Sequence, residues 1–177
     1  MDAIWEFMRT IEETGFATWV REGDFFVSPF SAFYVILGVH SIGMVMVAGV
    51  MFILSLRLFG YFPQFPVSST NQWMRIAWWG FYINAVSGLV LVIAQPRREF
   101  LTLTFDIKLL MIFLAVFTMV AMQRALANVE VVARPDGTAV EMVPPQARMM
   151  AFICNLLWLG AIISGRLIGY TQVPPPS

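Results

Sequence analysis

Phe30–Phe59 reads FSAFYVILGVHSIGMVMVAGVMFILSLRLF, with a single ionisable side chain, His40, ahead of Arg57. Roughly 30 residues of helix, at ~1.5 Å rise each, are longer than the ~30 Å hydrocarbon layer of a bilayer, so the segment can cross with tilt or with its ends protruding. A helix lying on a soluble core keeps a polar stripe for water, and none exists here. Ser28 and Pro29 offer an N-cap and a first-turn proline, while Gly60 followed by Pro63 supplies a stop. The stretch therefore predicts a transmembrane helix.

Composition agrees with that reading. The 177-residue chain is 59% hydrophobic and 12% charged, against roughly 25% charged in soluble domains, and its mean hydropathy is +0.75. Such a length accommodates one membrane domain and no separate soluble domain of ordinary size. Net charge is zero, so no basic surface points to nucleic acid. Cys154 is the lone cysteine and lies in an apolar run, which removes a disulfide framework and any CxxC motif. The N-terminal MDAIWEFMRTIEETGF is acidic and unlike a secretory leader, so the first span is expected to remain as an uncleaved insertion signal.

Working outward, residues 1–28 form an expected amphipathic interfacial segment: Ile4, Trp5, Met8 and Ile11 alternate with Asp2, Glu6, Arg9 and Glu13 at helical spacing. Its polar face is acidic, unlike helices that bind anionic lipid through Lys and Arg, so it is expected to lie along the interface and dock partly on the bundle. A four-helix transmembrane domain then fills 29–171, with spans over about 30–59, 73–95, 104–127 and 146–171. Pro96 closes the second span, and Thr104 with Asp106 opens the third. Trp73, Trp78, Trp79, Tyr34, Tyr61 and Tyr170 fall near span ends, as an aromatic belt does, and Trp158 falls deeper, where packing is the expected role. Residues 129–143 hold two runs of β-formers around Arg134-Pro135-Asp136-Gly137, a pattern for a small extramembrane β-hairpin whose edge could pair with a partner strand. The tail 172–177 is expected to be disordered. The fold class is thus an all-α integral membrane bundle of four transmembrane helices, with an N-terminal amphipathic helix and a β-hairpin between spans three and four.

Lys and Arg counts balance across the two sides, so the positive-inside rule is silent; Arg57, as a stop-transfer charge, places both termini outside the cytoplasm.

Ionisable groups inside a bilayer are functional candidates because they are costly there. His40 falls near the midplane, with Leu37, Gly43 and Met44 on its face. Two roles compete: a neutral imidazole hydrogen-bonded to a neighbouring helix, or a haem or metal ligand. One chain has no second histidine, which leaves His/Met ligation of haem b through Met44, Met46, Met111 or Met119, or copper(I) on the same donors. Gly80, Asn84 and Gly88 repeat every four residues in the second span, and Ala161, Gly165 and Gly169 in the fourth, as close-packing seams do. Asn155, Ile162 and Arg166 share another face of the fourth span. Arg166, Asp106 and Lys108 fall at one level, an expected ion-paired cluster serving as a clamp or as an anion, headgroup or quinone site. GxSxG, P-loop and HExxH signatures of hydrolytic or phosphoryl chemistry do not occur.

Several segments together, GFATWVRE at Gly15–Glu22, His40 with Gly43 and Gly49, LSLRLFG at Leu54–Gly60, FDIKLL at Phe105–Leu110 and LLWLGAIISGRLIGY at Leu156–Tyr170, resemble a family of uncharacterised four-span bacterial inner-membrane proteins, distantly similar to the membrane domain of CopD-type copper-resistance proteins. The family pattern has an acidic residue one turn before the first-span histidine and often a second histidine ending the third span. Here the first region reads Tyr34-Val35-Ile36-Leu37-Gly38-Val39, without an acid, and Gln123 stands in the second. The resemblance implies a bacterial inner-membrane location and a four-span architecture, not a mechanism. The expected function is a non-enzymatic structural or accessory subunit of a membrane or periplasmic complex, in contact with the lipid bilayer and with a protein partner or further copies of itself. The alternatives are an electron-transfer module holding haem b or quinone near His40 and Arg166, and a transporter of copper or a small solute.

Overall fold

The computed structural model describes residues 2–23, 31–100, 102–127, 129, 131–133 and 139–170. Four helices in it are long and apolar enough to cross a membrane: α3 (Ala32–Leu58), α4 (Thr70–Ala94), α6 (Leu103–Leu126) and α7 (Pro145–Ile168). Shorter helices α1 (Asp2–Glu12), α2 (Gly15–Glu22) and α5 (Pro96–Phe100) gather at one end, and strands β1 (Val131–Ala133) and β2 (Ala139–Glu141) pair antiparallel with Val132 opposite Val140. The tight turn expected at 134–138 and the tail at 172–177 lie outside the described residues.

Helix ends follow local chemistry with small shifts from expectation. The first span starts at Ala32 with Ser31 extended at its cap, so the expected cap at Ser28 moves by three residues; 28 and 29 themselves are outside the described residues. Gly60 closes it at φ +98°, a conformation that costs a residue without Cβ little. α4 begins at Thr70, three residues before Trp73, because a 3-10 turn over Val67–Ser69 leads directly into it. The third span takes Thr102 as its cap in place of Thr104. Pro145 occupies the first turn of α7, where its missing N–H costs no hydrogen bond. PRREF after the second span forms a helix of its own: Pro96 breaks the α4 ladder and starts a new one.

Two antiparallel pairs build the bundle, α3 on α4 and α6 on α7, and they meet along α3 and α7, whereas α4 and α6 barely touch. The α3–α4 seam is glycine-lined: a β-carbon on Gly43 would lie 2.7 Å from Asn84 N and 2.8 Å from Gly80 O, and one on Gly80 2.6 Å from Met46 Cβ. In lipid, where apolar surface gains nothing from leaving the solvent, such backbone approach supplies the packing that pairs helices. In α7 the close approach is at Gly160, whose β-carbon would meet Met111 Sδ at 2.5 Å. That position is one residue from Ala161 on the expected seam. Buried Val47, Met51, Leu54, Met74, Met119 and Trp158 fill the half of the bundle away from α5. Exposed Val45, Phe52, Val86, Leu89, Phe113 and Phe117 point outward, where a bilayer would solvate them.

Polar ties close both ends. At the β-strand end, Arg57 Nη2 meets Glu141 at 2.8 Å, and the same carboxylate accepts from Val67 N at 2.8 Å. The charge expected to act only as a stop-transfer signal therefore links the first span to β2 and to the turn before α4. At the other end Arg21 Nη1 donates at 2.8 Å to both Glu12 O and Ala94 O, capping the last turns of α1 and α4 together. Arg97 pairs with Glu12 and stacks 4.5 Å from the centre of the Trp5 ring, fastening α1 to α5.

Candidate functional site

The sequence singled out His40 and Asn84 separately; the fold joins them. His40 is 7% exposed and Asn84 5%, on facing surfaces of α3 and α4. Nδ1 of His40 donates to Asn84 O at 3.0 Å, with Ser87 Oγ at 3.2 Å, which fixes the proton on that nitrogen. Asn84 Nδ2 donates to His40 O at 2.9 Å and stands 3.4 Å from the acceptor Nε2. Gly88 gives the ring its room, since a β-carbon there would lie 3.0 Å from Cε1. Gly80, Asn84 and Gly88 thus act as one seam: the first seats the backbone of α3, the second bonds to it and the third seats the imidazole.

Beside this seam the bundle opens. A cavity of about 650 Å³ reaches from His40 to α5, bounded by α3, α4, α6 and α7. Phe33, Leu37, Met44, Leu91, Val92 and Ile162 give it apolar walls, and Gln95, Arg98, Glu99, Lys108 and Arg166 gather at the α5 end. Leu37, Ser41 and Arg166 are exposed at its rim. The α3–α7 hydrogen bonds, Ser55 Oγ to Ala151 O at 3.3 Å and Asn155 Nδ2 to Ser55 Oγ, lie in the packed half, and among the described residues no side-chain hydrogen bond joins α3 to α7 near α5.

The expected ion-paired cluster does not form. Asp106 is exposed, and among the described residues no ion pair joins it to Lys108 or Arg166. Positions two apart on a helix point nearly opposite ways, so Asp106 and Lys108 cannot serve one site. Lys108 faces the cavity instead, over Gly165, whose β-carbon would lie 3.4 Å from Lys108 Cε. Asn155 bonds to Ser55 and Ala151 in the packed half, about three turns of α7 before Arg166. Ala161 is buried in α7, and Gly169 sits at its C-cap with its carbonyl accepting from Arg98 Nη2 at 2.7 Å.

The acid that acts on Lys108 is Glu99, in α5, a segment for which the sequence analysis named no element. Burial holds its carboxyl above the ordinary value of 4.5, against the opposing pull of Lys108 and Arg98. Folding therefore favours the protonated acid. Its stabilising contribution is full below pH about 4.5 and is lost as pH rises through the raised folded value. Glu99→Gln is expected to flatten the acid limb of the melting temperature measured from about pH 4 to about pH 7; the same pH dependence in both proteins would refute this.

The donors do not fit haem or copper. Axial haem ligands approach from opposite faces, whereas His40 and Met44 stand one turn apart on a single helix, and both ring nitrogens of His40 face α4. Met46 packs at Gly80, Met111 at Gly160, and Met119 is in the distant core, so the thioethers diverge. Among the described residues no group of three His, Cys, Asp or Glu side chains is placed to hold a metal ion.

Compared with protein-family models, curated proteins and solved structures, the chain matches none.

Proposed function

We propose that this chain is a non-enzymatic accessory subunit of a bacterial inner membrane that holds a membrane-dissolved amphipathic molecule in the cavity between His40 and α5. The carrying observation is the cavity itself. Its volume of about 650 Å³ is that of a small-molecule site, with apolar walls and a few polar groups at one end. Transport of a solute is less well supported, because among the described residues Met51, Met74, Met119, Met122 and Trp158 pack the rest of the bundle with apolar side chains. The family resemblance in Gly15–Glu22 and Leu156–Tyr170, the periplasmic termini, and a partner strand adding to the β1–β2 ribbon belong to the same proposal.

Ile162→Trp fills the cavity from α7 without touching the glycine seam. Purified in mild detergent and examined by native mass spectrometry, the natural chain is expected to carry a bound molecule, and the variant to lose it while melting within a few degrees of the parent. Equal occupancy in both proteins, or none in either, would sink the reading.

A further inference from the structure

The cavity's charges are unequal. Arg98, Lys108 and Arg166 stand against Glu99 alone among its described lining residues, an excess of two positive charges at the end of an apolar chamber. Each cation is available in its own way. Arg98 is held rigid by Gly169 O at 2.7 Å and Gln95 Oε1 at 3.3 Å, and a guanidinium so held still has N–H groups to spare. Lys108 lies in a membrane-spanning helix, and among the described residues it has no hydrogen bond or ion pair; Glu99 acts on it only from a distance. Arg166 stands at the rim of the chamber, likewise without a hydrogen-bonded or ion-paired partner among the described residues. A cation in a spanning segment is retained where something neutralises it, and here the protein supplies one carboxyl for three cations. Gly165 lies beside the Lys108 stem, where a β-carbon would be in ordinary contact with Cε at 3.4 Å and Nζ at 3.5 Å.

Resting on the cavity-binding reading above, we propose that the occupant is an anionic membrane lipid, its phosphate held by Arg98, Lys108 and Arg166 and an acyl chain laid along Leu37, Met44, Leu91 and Ile162. A phosphate offers the acceptor oxygens that Arg and Lys recognise. The apolar wall below the charges selects a tailed molecule over a free anion, and the cations select it over a neutral quinone. His40 takes no part in recognising the phosphate: its ring nitrogens are engaged by α4, and it forms the wall where the chain ends.

The test uses the full chain in phosphatidylcholine nanodiscs doped with phosphatidylglycerol, with retained lipid counted by native mass spectrometry after detergent release. The natural protein is expected to retain phosphatidylglycerol. Lys108→Met and Arg166→Gln are each expected to retain roughly tenfold less, the loss of one charge-assisted contact. Arg75→Gln, at the opposite end of α4, is expected to retain as much as the parent. Lys108→Met removes a partnerless charge and is expected to fold; Arg166→Gln lies at the exposed rim and gives an independent variant. Retention unchanged in both variants overturns the inference, and so does an equal fall in Arg75→Gln. Protection from heat by inorganic phosphate equal to that by phosphatidylglycerol overturns the choice of a lipid. A short-chain ubiquinone that is retained, displaced by Ile162→Trp and indifferent to Lys108→Met, overturns the anionic occupant while leaving the cavity reading intact. Nothing retained, with Ile162→Trp without effect, overturns both.

Discussion

Gly43→Ala is expected to lower stability by about 2–3 kcal/mol, and Gly43→Leu to leave no folded protein in detergent. The new β-carbon would fall 2.7 Å from Asn84 N and 2.8 Å from Gly80 O. Both obstacles are backbone atoms, so no rotamer change relieves them and the two helices must move apart. Separation costs more than one contact. Gly80 lies against Gly43 O and Val47 N at the same crossing, and the Asn84–His40 hydrogen bonds lie one turn on. Gly49 on the same helix provides the control, because a β-carbon there meets nothing within 4 Å. Gly49→Ala removes a poor helix former at no steric cost, so it should be neutral or stabilising by up to about 1 kcal/mol. Thermal unfolding followed by helical circular dichroism separates the two, and equal melting temperatures for Gly43→Ala and Gly49→Ala would refute close approach as the basis of the seam.

The parts of this fold that were legible in the sequence are those a bilayer enforces locally. A span must be long and apolar by itself, so Phe30–Phe59 declared a helix without knowledge of its neighbours, and the other three followed by the same rule. End positions shifted by a few residues because caps are chosen among nearby candidates: Ser31 over Ser28, Thr102 over Thr104. What remained illegible depends on pairs distant in the chain. Nothing near Arg57 announces Glu141, 84 positions on. Asn84 and His40 each looked unusual alone, but their union depends on helix rotation, which hydropathy does not encode. The cavity was least visible of all, since a void is set by where helices diverge, and here the α3–α7 side-chain ties, at Ser55 and Asn155, lie in the packed half. Glu99 was hidden for a different reason: PRREF has the composition of a surface connection, and only its return over α6 brings the carboxyl near Lys108.

Asn84→Leu and His40→Phe should show a coupling of about 0.5 kcal/mol in a double-mutant cycle, near the average for hydrogen bonds between spanning helices. The two side chains meet where Asn84 Nδ2 stands 3.4 Å from His40 Nε2. Each also bonds to the other residue's main-chain carbonyl, Nδ2 to His40 O at 2.9 Å and Nδ1 to Asn84 O at 3.0 Å, and those carbonyls remain when the opposite side chain is replaced. Neither group faces water, so a partner left behind by one substitution has no ready replacement. Leucine keeps the γ-branched shape of asparagine and lipid does not penalise it, but it is bulkier, so the coupling in the cycle and not the single loss reports the bonding. The effect on the site should exceed the effect on stability. In Asn84→Leu the imidazole keeps its Nδ1 contacts with the main-chain carbonyl of residue 84 and with Ser87 Oγ, and its seat over Gly88. It loses the amide opposite Nε2, so the ring that borders the chamber is less firmly held. Asn84→Leu is therefore expected to reduce retention of the co-purifying molecule, and Gly88→Ala, which presses on Cε1 from 3.0 Å, to do the same with the asparagine intact. Were both variants to retain it fully, with additive unfolding energies, the histidine would be a helix-pairing residue without influence on the cavity.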